Sequence, residues 1–149
     1  MSTGTPNPGG GWDRRYGMTA SDAIDEVLAA LARDDPEWAL RMVAAAVDAW
    51  RRVNTQGTPS QAAAWLTEPA RLHELPTPWA VLVRAVVATW ARRWGHEPPT
   101  WTATEPLPEP WSPLGHQPGS RRWARAEERG EPGLAAYGIL LERSWFEGA

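Results

Sequence analysis

The chain has 149 residues, a formal charge of −3, fifteen arginines, no lysine and no cysteine. That length suits one domain with a real core, and the missing residue types exclude Schiff-base and P-loop lysine chemistry, disulfides, thiolate zinc sites and thiol nucleophiles. The mild acidity argues against a dedicated nucleic-acid binder, which carries a basic face.

No apolar run reaches the roughly 20 residues of a membrane span. The amino terminus lacks the basic region and apolar core of a secretory signal, so the expected location is cytoplasmic. Residues 1–17 are rich in glycine and proline without periodicity and are expected to form a flexible tail, with a single helical domain over 18–149. The triplet Gly9-Gly10-Gly11 precedes neither strand nor helix and is a weak phosphate-loop signal.

A first helix is expected from Ala20 to Arg33, capped by Thr19 or Ser21, with Ile24, Val27, Leu28 and Leu31 as its apolar stripe. Asp34-Asp35-Pro36 stops it and starts a second helix, with Asp35 as cap and Pro36 in the first turn. That second helix runs to Val53 on Leu40, Val43, Val47 and Trp50, widened by Trp38 and Met42. So tight a turn makes the two an antiparallel hairpin. A short helix follows from Pro59 to Leu66, with Trp65 and Leu66 inward.

The strongest signal lies at Pro78–Trp94. Thr77 can cap this helix and Gly95 can close it in the left-handed conformation. Trp79, Leu82, Val83, Val86, Val87, Trp90 and Trp94 fall on one face, and burying seven such side chains represents roughly 10–20 kcal/mol gross. It is expected to be the central core helix.

Residues 97–119 carry seven prolines, which rule out a regular helix or a central strand. Trp101, Leu107, Trp111 and Leu114 are spread along them, so an extended strap pegged across the helices by its tryptophans is expected. Ser120 caps a last helix over Arg121–Arg129 with Trp123 inward. Beyond the break at Gly130–Gly133 come a turn through Tyr137, a left-handed Gly138, an apolar run Ile139–Leu141 too short to classify, and a closing turn at Ser144–Glu147. The fold class is therefore all-α: about five helices, a proline- and tryptophan-rich strap and an amino-terminal tail.

Catalytic signals are sparse. His73, His96 and His116 fall in expected loops without helical partners that would hold a metal. The serines lie in no nucleophile-elbow sequence, and Asp34-Asp35 and Glu127-Glu128 read as a cap and a solvated face. No cofactor and no metal are expected. The pairs Arg51/Arg52, Arg92/Arg93 and Arg121/Arg122 each lie near a tryptophan, which can bind nucleic acid or simply stack within the fold.

The second half of the chain resembles small helical proteins of bacterial toxin–antitoxin-like gene pairs, found beside a nucleotidyltransferase-like toxin. The matching stretches are Pro78-Trp79, Pro99-Thr100-Trp101-Thr102, Leu107-Pro108-Glu109-Pro110-Trp111, Arg125-Ala126, Pro132, Tyr137–Leu141 and Trp145–Ala149. Two departures stand out. The basic run that often precedes the Gly-Ile pair is Leu134-Ala135-Ala136-Tyr137 here, and the amino-terminal helix-turn-helix of longer members is absent. The resemblance brings no catalytic residue. It implies a non-enzymatic antitoxin-like module that neutralises a partner protein by direct contact. The expected partner-binding residues are Trp101, Trp111, Trp145 and Phe146, with Arg92 and Arg93 at the edge, since tryptophan and arginine are enriched in interface hot spots. The alternatives are a nucleic-acid-binding regulator using the arginine/tryptophan surface and a small enzyme with a loop histidine.

Overall fold

The computed structural model describes residues 11–147 of the chain. Residues 1–10 of the expected tail and the closing Gly148-Ala149 lie outside the described residues. The fold is all-α: six helices, of which five have seven residues or more, and no strand among the described residues.

Helices α1 (Ala20–Ala32) and α2 (Pro36–Gln56) form the hairpin. Thr19 and Asp22 cap α1 reciprocally, each side chain accepting from the other's backbone N–H. At the corner, Asp34 adopts φ +58°. The Asp34 N–H donates to the Leu31 carbonyl (3.1 Å) and the Asp35 N–H to that of Ala30 (2.9 Å). This double closure satisfies the last carbonyls of α1. The Asp35 carboxylate then accepts from the Trp38 N–H at 3.1 Å and opens α2. Three residues thus end one helix and begin the next. α2 runs three residues past its expected end because Asn54 and Thr55 turn back onto the carbonyls of Trp50 (2.8 Å) and Arg51 (3.1 Å). The short α3 (Pro59–Trp65) has its own capping box between Thr58 and Gln61.

Helix α4 (Thr77–Arg93) starts one residue before expectation. Pro76, not Thr77, stands at the cap position, its carbonyl accepting from the Ala80 N–H (2.9 Å). Gly95 closes α4 as expected, at φ +78°, with its N–H on the Arg92 carbonyl (3.0 Å) and that of His96 on Ala91 (2.9 Å). Burial is wider than the expected stripe: Val81, Ala85, Ala88, Thr89 and Ala91 are covered too. Trp94 is the exception, 37% exposed, because the chain turns away at Gly95. Trp38, expected to widen the α2 stripe, is 39% exposed on the first turn of that helix.

Two further layers cover α4. One is the strap, with a 3₁₀ turn at Thr100–Thr102. The other is α6 (Pro132–Ala135) and the segment after it. Between them stands α5 (Arg121–Glu128), whose buried residue is Ala126; Trp123, expected inward, is only half-buried. α6 approaches α4 closely at Gly133. A Cβ there would lie 2.7 Å from Thr89 Cγ2 and closer still to its hydroxyl. Gly133→Ala is therefore expected to cost about 2 kcal/mol through overpacking, read as a lower urea midpoint at unchanged slope.

The strap and the tail are stitched together. The Leu107 N–H donates to the Tyr137 carbonyl (2.9 Å), the Trp111 N–H to Gly138 (2.8 Å), and the Leu140 N–H back to Trp111 (2.8 Å). Pro106, Pro108 and Pro110 have no N–H to give, so pairing falls on the non-proline residues between and after them. The run Ile139–Leu141 is thus a shared seam: Ile139 bridges Trp111 in parallel, and the Glu131 N–H donates to the Leu141 carbonyl at 3.1 Å.

Residues 12–17 of the expected tail are docked on the fold. Residues Arg14–Tyr16 form a 3₁₀ turn capped by Asp13, the Trp12 indole N–H donates to the Gly17 carbonyl (2.9 Å), and Arg52 donates to the Tyr16 carbonyl (3.2 Å). Trp12, Tyr16 and Met18 pack against the core.

On the surface, Arg71 ties the 3₁₀ turn at Leu72–Glu74 to α1, reaching Glu74 and Asp25 at 3.1 Å each. The hydrogen bond from Arg71 holds the Glu74 carboxyl below its ordinary range. A depressed carboxylate contributes stability above its unfolded value and loses it as pH falls through the folded one. Both groups are solvated, so the effect is small.

Candidate functional site

The six residues expected to bind a partner do not share one environment. Phe146, in the closing 3₁₀ turn, is 3% exposed and packs on Trp90 with ring centroids 4.6 Å apart. In this conformation it is a core residue, out of a partner's reach. Trp111 meets Trp79 edge-on at 5.5 Å. The Trp101 indole N–H donates to the Leu66 carbonyl at 2.8 Å. Both, with Trp145, are half-buried and packed on the core. Each therefore presents an edge to solvent while its body fills the fold.

Arg93 is occupied as well. Its guanidinium lies 4.6 Å from the Trp90 ring centroid and pairs with the carboxylate of Glu131. That carboxylate also accepts from the Gly133 N–H (3.2 Å) and caps α6. Arg92 is exposed and lines an open groove with His96, Pro99, Thr100 and Tyr137. Of the six, Arg92 is the one whose charged group has no internal partner among the described residues.

The tryptophans are mainly structural. The buried Trp50 and Trp65 lie 4.7 Å apart and donate their indole N–H groups to the carbonyls of Trp90 (2.9 Å) and Ala46 (3.0 Å). Arg84, off the expected stripe of α4, clamps the strap by donating to the carbonyls of Trp101 (2.5 Å) and Ala103 (3.3 Å). Arg84→Met keeps the stem and removes the donors. It should cost about 1.5–2 kcal/mol and raise amide exchange in residues 100–104 ahead of the helices.

The histidines stand in separate surroundings. His73 is exposed; the half-buried His116 gives its backbone N–H to the Ser112 hydroxyl (3.0 Å). His96, expected as a surface loop residue, is instead tucked in: its Nε2 lies 2.6 Å from Asn54 Oδ1 and its ring 4.7 Å from that of Trp50. Among the described residues no group of three or more histidine, aspartate or glutamate side chains could hold a metal. No described helix is long and apolar enough to cross a membrane.

Sequence reasoning missed Glu131 and Arg84. Glu131 lies in a Gly-Pro-Gly breaker, where a carboxylate reads as solvated; only the long-range approach of Arg93 gives it a buried role. Compared with family models, with characterised proteins and with solved structures, the chain matches none.

Proposed function

We propose that this protein is a non-enzymatic, antitoxin-like binding module that neutralises a partner protein by direct contact in the cytoplasm. The supporting observation is the stitched layer. Two of the stretches that carry the resemblance, Leu107–Trp111 and Tyr137–Leu141, are hydrogen-bonded into one layer (2.8–2.9 Å). The half-exposed edges of Trp101, Trp111 and Trp145 and the free Arg92 are the contact groups of this reading. A partner fitting it has carboxylates that meet Arg92 and apolar side chains that cover the indole edges. A nucleotidyltransferase-like toxin encoded nearby is the partner that the resemblance implies.

The test is purification of the protein alone and with the product of the adjacent gene, followed by size exclusion with mass detection. A stoichiometric complex is expected, weakened at least tenfold by Arg92→Glu. Two separate peaks at micromolar concentration would count against the reading.

A further inference from the structure

The fifteen arginines are not used alike. Seven form ion pairs with carboxylates, and Arg51 and Arg84 donate to backbone carbonyls. Among the described residues, six have no internal acceptor: Arg92, Arg121, Arg122, Arg125, Arg129 and Arg143. Four of these six belong to α5 and the residue that ends it.

Their spacing places them together. At about 100° per residue, Arg121, Arg125 and Arg129 form an i, i+4, i+8 row, and Arg122 falls beside them, all within an arc of roughly 100°. All four are exposed on one open face of the helix with Glu128. Glu127 lies well round the helix from the row. Glu128 borders it, and no pairing joins that carboxylate to the arginines. α5 is anchored through the buried Ala126. Gly119 at φ +87° and Gly130 bound the helix on either side.

We infer that this face of α5 binds the phosphodiester backbone of a nucleic acid, without reading its sequence. Arginine is weakly hydrated and presents a planar fork that fits phosphate oxygens. A row repeating about every 6 Å along a rigid helix suits a ligand whose charges also repeat along a chain. An acidic protein surface offers carboxylates without that regularity. The rest of the molecule is acidic enough to bring the total to −3, which sets this face apart from its surroundings. Of the four arginine pairs in the sequence, Arg14 and Arg15 are tied to Asp22 and Asp13, Arg52 and Arg93 to Asp48 and Glu131, and Arg51 to the Phe146 carbonyl. Arg121/Arg122 is the pair left free on both members.

The experiment is fluorescence anisotropy of the intact protein with a labelled duplex DNA and a labelled single-stranded RNA, each of about 20 nucleotides per strand, across a salt series. Binding at low salt is expected, with log K falling against log salt at a slope of about −3, the value for three or four neutralised phosphates. Arg121→Gln/Arg125→Gln/Arg129→Gln should weaken it at least tenfold and flatten the slope, while circular dichroism stays unchanged because these side chains hold nothing internally. Arg33→Gln/Arg41→Gln, on the hairpin, should bind as the parent does. Preference for DNA or RNA identifies which backbone is used. Absence of any low-salt shift, or an equal effect of the hairpin variant, overturns the inference. Equally effective competition by polyaspartate at matched charge also overturns it and assigns the face to an acidic protein.

Discussion

Trp50→Ala is expected to lower the unfolding free energy by about 4–5 kcal/mol, the upper range for truncating a buried aromatic. Three losses coincide. The side chain is fully buried beneath Trp65 and His96. Its indole N–H is hydrogen-bonded to the Trp90 carbonyl at 2.9 Å, joining α2 to the end of α4. The neighbouring Asn54 amide returns to the Trp50 carbonyl (2.8 Å), and Asn54 Oδ1 meets His96 (2.6 Å). Removing the ring therefore loosens the α2 end, the α4 end and the turn after it together. Trp50→Phe keeps an aromatic body and loses the N–H, and should cost less than half as much. Urea unfolding followed by far-ultraviolet circular dichroism measures both. A loss below about 1.5 kcal/mol for the alanine variant would show that the site collapses around the cavity and that the assigned role is wrong.

The second large effect concerns Arg93. Its side chain is 46% exposed, whereas that of Glu131, with which it pairs, is 4% exposed. That asymmetry sets the outcome. Removing the arginine strands a buried carboxylate with one remaining N–H donor from Gly133; removing the glutamate frees an arginine that water can reach. Stranding a buried charge costs about 3–5 kcal/mol when both partners are dry. With solvent at Arg93, about 3 kcal/mol is expected for Arg93→Ala, including the lost contact with Trp90. Adding Glu131→Gln should restore at least 1 kcal/mol, measured as coupling in a double-mutant cycle. Additive costs would mean that the two groups stabilise independently. The same reasoning selects Arg92 as the probe of partner binding, since an Arg93 variant would weaken a complex by disturbing α6.

The local signals in the sequence were dependable where a single turn decides the backbone. Asp35 and Pro36 opened α2, Gly95 closed α4 and Ser120 capped α5, because each acts on residues within one turn of itself. The apolar spacing of α4 identified the central helix but gave too narrow a face. Its flanks are covered by α6 and the strap, neither of which has a period. Trp94 fitted the stripe and still faces water, since the stripe does not encode that the chain departs at the next residue. Trp12 and Tyr16 carried no pattern; their docking depends on the far end of α2. For the candidate surface, residue type pointed to Phe146 and Arg93, while both are engaged inside. Side-chain identity reports what a group can do, and long-range contact decides whether it is available.

The seam formed by Ile139–Leu141 bears on how the chain folds as it is made. Ile139, Leu141 and Phe146 are core residues, and Phe146 is what covers Trp90. Synthesis delivers them last of the core. Until they are made, the hairpin and α4 can pair, but the outer flank of α4 has no lid and the Leu107 and Trp111 N–H groups of the strap have no acceptor. The nascent domain therefore passes through a stage that exposes tryptophan-rich surface to other chains. A chain stalled before Ile139 lacks this seam and keeps that surface open, so chaperone access at that stage bears on the yield of folded protein.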